Sequence, residues 1–408
     1  MSELTLLEPF VSAAKTIAIR AGLRPLVQGM RRSAPVAAFH LLDLFRFGYR
    51  DGRRESRVAG KVAVFDTFAT ADGEFIVIVG HYRNLPPTSE FRCDFSSGAK
   101  TQGEVVDDSP HEIEGEQVLV VRFPVPAADR TVGQTEVQIW AGPRCVVRRQ
   151  LIAFAAPRPR GRFAVTTLMK DEDRFLVEWI EYYRIIGADH FYIYDNRSLG
   201  RSKIRRVLAP YIQSGLVTLL DWDYPYRSGA SDNSWRYCQR GQMHHCLYKY
   251  GGRTDWLLFV DVDEFIYPLD ATQFSLMHLL EHMATDMSVA ALQFKMMWFG
   301  DSGHERFPGG LVLEQYMRRD QETLAAGREK CIVRPKLTEL MLIHAVKRSS
   351  SGARMHVVDP AEYRLNHYFA TSAKRAHVRR PELNAVEDTG MSRFLALLRT
   401  RVRSAAKR

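Results

Sequence analysis

No stretch of the 408-residue chain approaches the roughly eighteen consecutive apolar residues that suggest a bilayer-spanning helix. The first thirty residues carry Glu3, Glu8, Lys15, Arg20 and Arg24, which interrupt any signal-peptide core. Cysteine is sparse. Cys93, Cys145, Cys238, Cys246 and Cys331 are odd in number and widely spaced, giving neither a disulfide framework nor a Cys-x-x-Cys metal pattern. A reducing, cytoplasmic location is therefore expected, where the Asn196-Arg197-Ser198 sequon would stay unmodified. Glycine and proline are too few for a fibrous or low-complexity chain. No Gly-rich phosphate loop precedes a helix, and zinc-finger spacing, a helix-turn-helix and a basic stripe with regular aromatics are all missing.

What is present is an ordinary globular composition, 46% hydrophobic and 25% charged, long enough for two domains or one domain with an extension. A formal charge of +10 favours anionic partners in general: nucleic acid, phosphorylated sugars, nucleotide diphosphates or acidic lipid. The last sixteen positions hold Arg393, Arg399, Arg401, Arg403, Lys407 and Arg408 without an acid, interleaved with Phe394, Leu395, Leu397, Leu398 and Val402. That pattern fits a basic amphipathic helix in peripheral contact with a membrane, or a solvated helix end.

Residues 1–58 carry apolar positions at helical spacing, such as Leu23, Leu26, Val27 and Met30, and read as a helical amino-terminal segment. Residues 59–155 change to short apolar runs separated by polar turns, including Phe75-Ile76-Val77-Ile78-Val79 and Val118-Leu119-Val120-Val121, which predicts a β-rich, sandwich-like domain. The Pro-rich connector at 156–161 marks a boundary. Beyond it, strands over 163–168, 190–194 and 216–220 alternate with helices over 174–186, 205–211 and about 234–249, and lead to a fourth strand near 256. Such alternation predicts a parallel α/β sheet over 162–380, whose ligands bind beyond the carboxyl ends of the strands. Residues 381–408 form a basic tail.

The fourth strand reads Trp256-Leu257-Leu258-Phe259-Val260-Asp261-Val262-Asp263-Glu264-Phe265-Ile266. Carboxylates crowded on a buried strand are costly unless a cation sits among them. Side chains two apart on a strand share a face, so Asp261 and Asp263 are expected to converge on one hard divalent ion. The plain alternative is a solvated turn. Further polar clusters end the earlier strands: Lys170-Asp171-Glu172, Asp195-Asn196, and Asp221 with Asp223. Each alone reads equally well as a cap or turn, but aligned strand ends should face one crevice.

Lys170-Asp171-Glu172, then Glu178-Trp179-Ile180-Glu181-Tyr182-Tyr183, Gly187, His190 to Asn196, Gln239 seven residues before Cys246, and Trp256 before Asp261-Val262-Asp263-Glu264-Phe265 resemble glycosyltransferase family 92 and its family 2-like relatives. The resemblance spans about 162–380 and implies a GT-A fold, a Rossmann-like domain binding a nucleotide diphosphate sugar, usually UDP-linked, with Mn2+ or Mg2+ on the Asp-x-Asp motif. It implies hexosyl transfer, with inversion, to a glycan or lipid-linked acceptor. Lys170, Glu172, Asp195 and Asn196, with Gln239, would line the nucleotide site, Asp261 would face ribose and metal, and Asp263 would bind metal. The late Asn366-His367-Tyr368 also fits the pattern, with His367 completing the metal shell or touching diphosphate. Two departures stand out: Asp171 replaces a common Asn, and Leu199-Gly200 replaces an acidic residue.

An inverting transfer needs a base opposite the leaving group. The apolar run Phe294 to Phe299 opens into Gly300-Asp301-Ser302-Gly303-His304, which offers Asp301 as base, with His304 as competitor and a turn-forming Asp as the bland alternative. Trp298 suits stacking on a sugar, or a core. Two other classes remain in play. A basic nucleic-acid-binding protein would have to tolerate an acidic crevice, and the resemblance to a transferase implies no nucleic-acid partner. A nucleotidyltransferase or phosphatase would also use paired carboxylates on a parallel sheet.

Overall fold

The computed structural model describes residues 56–406 apart from 59–60, 82–83, 86–88, 107–117, 132, 155–159, 225–236, 322–324 and 372–379. The helical reading of 1–58 thus falls almost wholly outside the described residues, as does most of the connector. Between Ser56 and Ala153 the short apolar runs are strands of two antiparallel sheets. Five strands make the first, with Phe75–His81 at its centre, and four make the second. Their inner faces meet in one buried cluster, Ile76, Ile78 and Val121 against Phe91, Val137 and Ile139. That is the sandwich the alternation predicted.

Within Phe75–His81, residues 75–79 are apolar without interruption because both faces of the strand are covered. Ile76 and Ile78 point into the sandwich, whereas Val77 and Val79 pack on Cys238, Met243 and Leu247 of a helix in the following domain. The two sheets and the α/β domain belong to one compact unit.

In that domain β1 (Gly161–Met169), α1 (Asp173–Ile185), β2 (His190–Asp195), α2 (Arg201–Gln213), β3 (Val217–Asp221), α3 (Tyr237–Tyr250) and β4 (Thr254–Phe259) alternate as read from the sequence. The strands lie side by side in the order β3-β2-β1-β4, all parallel. After β4 come β5 (Glu264–Pro268), α4 (Met277–Ala284), β6 (Val289–Phe299), β7 (Ala325–Val333) and β8 (Tyr363–Tyr368). Strand β7 runs antiparallel between β4 and β6, and β8 lies parallel to β6 and antiparallel to β5. The sheet is therefore mixed, not purely parallel.

Its two faces follow the alternation of side chains. Phe163 and Val165 turn to α1 and meet Leu176, Trp179 and Tyr183, while Ala164, Tyr192 and Tyr194 turn to α3. Helix α1 ends at Gly187, whose φ of 117° and contact with Met277 leave no room for a side chain. Helix α3 is enclosed between the α/β sheet and the accessory sheet. A Cβ on Gly241 would lie 2.8 Å from the Phe65 ring, and the buried carboxylate of Asp66 contacts His245 Nε2 and Lys249 Nζ, each at 2.9 Å.

The carboxyl-terminal tail forms helix α5 (Leu395–Ala406), whose packing lends the membrane reading no support. Phe394, Leu395 and Leu398 are buried in the main core and α5 packs on α1, which covers most of its apolar stripe and leaves Leu397 exposed. Arg399 pairs with Glu314, and Arg393 bonds the carbonyl of Gln273 at 3.0 Å. No helix of the described residues is long and apolar enough to cross a membrane. If α3 depends on the accessory sheet, Phe65→Ala should lower the unfolding free energy of the whole chain by about 3–5 kcal/mol in urea melts, with a single transition.

Candidate functional site

Strand β4 stops at Phe259, and the acidic residues lie on a turn in which Glu264 N–H donates to the Asp261 carbonyl at 3.2 Å. The expectation that Asp261 and Asp263 share a strand face is corrected accordingly. A turn brings them to the same end of the sheet, with Val262 buried in the core. The chain continues as β5, whose pairing with β8 sets Glu264 opposite His367.

Asp263, Glu264 and His367, all buried, each place one ligand atom within 4.8 Å of the other two. Nε2 of His367 lies 3.2 Å from Asp263 Oδ2, and Nδ1 lies 3.3 Å from Glu264 Oε1. Burial pushes the Glu264 carboxyl up, against the pull of the Lys330 ammonium. Trp298, opposite His367 across β6 and β8, covers its ring at 4.3 Å.

Asp261 stands beside this trio rather than in it. Lys330 Nζ donates to Asp261 Oδ2 at 2.7 Å and lies 3.3 Å from Glu264 Oε2. Burial works against the Lys330 charge, but the carboxylates of Asp261 and Glu264 outweigh it and hold the ammonium protonated. Trp179 Nε1 donates to the Asp261 carbonyl at 3.1 Å and Tyr183 Oη to the Glu264 carbonyl at 3.0 Å, so α1 fixes the turn from below.

The other residues singled out from the sequence divide into two groups. Gln239, on α3, lines a narrow crevice with Thr166, Asp261 and Lys330. Lys170 is exposed just after β1, and Glu172 sits half-buried at the N-cap position of α1 without a side-chain capping bond. Asp195 accepts from Ser198 N–H at 3.0 Å and pairs with Arg201 at 3.1 Å. Asn196 donates to the carbonyls of Trp222 and Tyr224 at 2.7 and 2.8 Å, stitching the end of β2 to the segment after β3. Asp171, at φ 58°, accepts from Leu199 N–H at 2.6 Å. That left-handed conformation suits Asn or Asp. Asp221 and Asp223 pair with Arg205 and Arg201. Much of the polar chemistry at these strand ends therefore shapes the loops around the crevice.

Asp301 and His304 follow β6, whose carboxyl end lies on the same side of the sheet as that of β4. Asp301 Oδ1 accepts from Gly303 N–H at 2.9 Å and Asn384 Nδ2 at 2.8 Å, and the His304 ring lies 6.2 Å from that of Tyr316. After Tyr368 the sequence also offers Ser372 as part of the late pattern, and Lys374, Arg375 and Arg379 as cations for a diphosphate or as a solvated helix face; all four lie outside the described residues.

Sequence reasoning gave Lys330 no role and placed Glu264 in the acidic tip without a task. The available signal was a lysine heading the apolar run Cys331-Ile332-Val333 on a strand that the acidic turn must face. Glu178 was also missed. It accepts backbone N–H groups from Val312 and Leu313 at 2.7 and 3.0 Å, and burial, partly opposed by those bonds, pushes it up to about 7.

The profile of glycosyltransferase family 92 matches residues 163–394, more than half of the chain. The chain belongs to this family. Its mixed α/β sheet, with the polar clusters at the carboxyl ends of the strands, is the GT-A architecture expected of a family 92 glycosyltransferase. A family 92 glycosyltransferase protein of Ricinus communis is 28% identical over 228 residues, 54% of this chain and 38% of that protein. A galactan beta-1,4-galactosyltransferase of Arabidopsis thaliana is 27% identical over 202 residues, 48% of this chain and 38% of that protein. The matched region spans about two fifths of the length of these relatives. Among solved structures, S. aureus TarS in complex with UDP aligns at TM-score 0.31 and 10% identity, over 60% of this chain and 72% of that one.

Next to the site, His344 Nδ1 lies 3.0 Å from the Glu329 carbonyl, and burial, reinforced by Lys330, lowers the imidazole from 6.5 to about 4. A depressed histidine stabilises the fold above its unfolded value, and that contribution is lost as pH falls, because the unfolded chain takes up the proton first. Urea melts between pH 7 and pH 4 should show the wild type losing about 2–3 kcal/mol more than His344→Asn.

Proposed function

We propose that this family 92 member transfers a hexosyl group from a UDP-linked donor to a glycan or lipid-linked acceptor, with inversion and with a divalent cation, Mn2+ or Mg2+. The observation that carries this reading is the buried trio of Asp263, Glu264 and His367 at the carboxyl end of β4. Two carboxylates and an imidazole suit a first-row divalent ion, and the nitrogen ligand favours Mn2+ over Mg2+. When bound, the ion supplies positive charge to the departing diphosphate.

The protein's own residues do the rest. The nucleotide lies over the narrow crevice lined by Gln239, Thr166 and Asp261, contacted by Lys170 and Glu172 from the segment after β1. Asp301, steadied by Asn384, takes the acceptor proton, with His304 as the competing base. Trp298 offers a ring face to a sugar beside the trio. The Arabidopsis relatives, named galactan beta-1,4-galactosyltransferases, support a galactosyl donor and a glycan acceptor. A β-linked product from an α-linked UDP-sugar also accords with inversion.

Thermal stabilisation by UDP should require Mn2+ and disappear with chelator. Asp263→Ala should lower sugar-dependent UDP release by roughly 100-fold or more while the protein stays folded. Full turnover in Asp263→Ala would end the proposal. Asp301→Asn should retain UDP binding yet reduce transfer by about 100-fold or more; near-normal transfer would remove Asp301 and leave His304→Ala as the next test.

A further inference from the structure

Lys330 is 3% exposed, and its Nζ stands against the carboxylates of Asp261 and Glu264 rather than in open solvent. Its place is set by strand pairing. Cys331 lies opposite Phe259, so Lys330 sits one residue past the end of β4, where the acidic turn begins. Its Nζ bonds Asp261 Oδ2 at 2.7 Å and lies 3.3 Å from Glu264 Oε2, the oxygen that also accepts Asp261 N–H at 2.8 Å. The other Glu264 oxygen, Oε1, faces His367 at 3.3 Å. Glu264 is thus shared, with one oxygen turned to Lys330 and one to the trio.

We propose that Lys330 is a positioning residue that divides the acidic cluster. It occupies Asp261 and the near side of Glu264, and thereby confines a divalent ion to Asp263, Glu264 Oε1 and His367. The inference rests on the metal-dependent reading above and deepens it. In ionised form the three carboxylates and one ammonium leave two negative charges, which one divalent ion balances. Two cations within a few ångströms repel, so the ammonium also weakens ion binding in the absence of nucleotide. Asp261, with its side chain 37% exposed, then faces the crevice as a lysine-paired carboxylate instead of a metal ligand.

The test is Mn2+ affinity of the full-length protein without donor, measured by calorimetry or by loss of the free Mn2+ electron-spin signal. Lys330→Met should bind Mn2+ at least ten-fold more tightly, because a repelling charge has gone and Asp261 becomes available. Lys330→Arg should restore affinity toward the wild-type value. Asp261→Asn should change Mn2+ affinity by less than about three-fold, whereas His367→Ala should weaken it by about ten-fold or more. A loss of ten-fold or more in Asp261→Asn would overturn the division while leaving the metal-dependent reading intact. So would unchanged or weaker binding in a folded Lys330→Met. If Lys330→Met does not fold, the Asp261→Asn and Lys330→Arg results decide the matter alone. A wild-type protein that binds no Mn2+ would defeat the metal reading itself.

Discussion

Taking carboxylates out of water at the end of a β-strand costs several kcal/mol each unless cations and hydrogen bonds replace the lost solvent. Here Asp263 and Glu264 are buried side by side, and His367 and Lys330 stand against them from two other strands. Neither partner is near the acids in sequence. The antiparallel pairing of β5 with β8 delivers His367, and that of β4 with β7 delivers Lys330. The antiparallel return of β7 between β6 and β4, and the long connection on to β8, are therefore the means by which the site is assembled.

The support beneath the site is built in layers. Helix α1 contributes Trp179 and Tyr183, whose polar tips bond the backbone of the acidic turn while their rings pack in the core. On the opposite face, α3 brings Gln239 to the crevice and is itself pressed between the α/β sheet and the accessory sandwich. The contacts of Asp66 with His245 and Lys249, together with Gly241 against Phe65, tie that helix to the accessory sheet closely. A domain without evident catalytic groups thus helps set the wall of the crevice that Gln239 lines.

Much of this was legible in the chain. Strand and helix periodicities over 163–250 gave the parallel half of the sheet, because each element there buries one regular stripe. Asp263 and His367 were readable from their motifs, and the structure brings them together. The turn at Asp261 was not readable, since Val262 and the apolar residues after Glu264 continue a strand-like pattern that belongs to a different strand pairing. Lys330 and the spent side chain of Asn196 were equally hidden. Both depend on long-range register, and periodicity within one segment carries no information about its neighbour. The packing of the carboxyl-terminal helix was hidden for a related reason: its apolar stripe fits a membrane surface and a core equally well, and the structure packs most of it on α1.

The central claim is that the Asp263, Glu264 and His367 trio holds a divalent ion beside a nucleotide diphosphate. Crystals grown with Mn2+ and UDP, with diffraction recorded at the manganese absorption edge, test it most directly. The account predicts one anomalous peak within bonding distance of Asp263, Glu264 and His367 and of the diphosphate oxygens. A diphosphate bound without that peak, or a peak away from these three side chains, would contradict it.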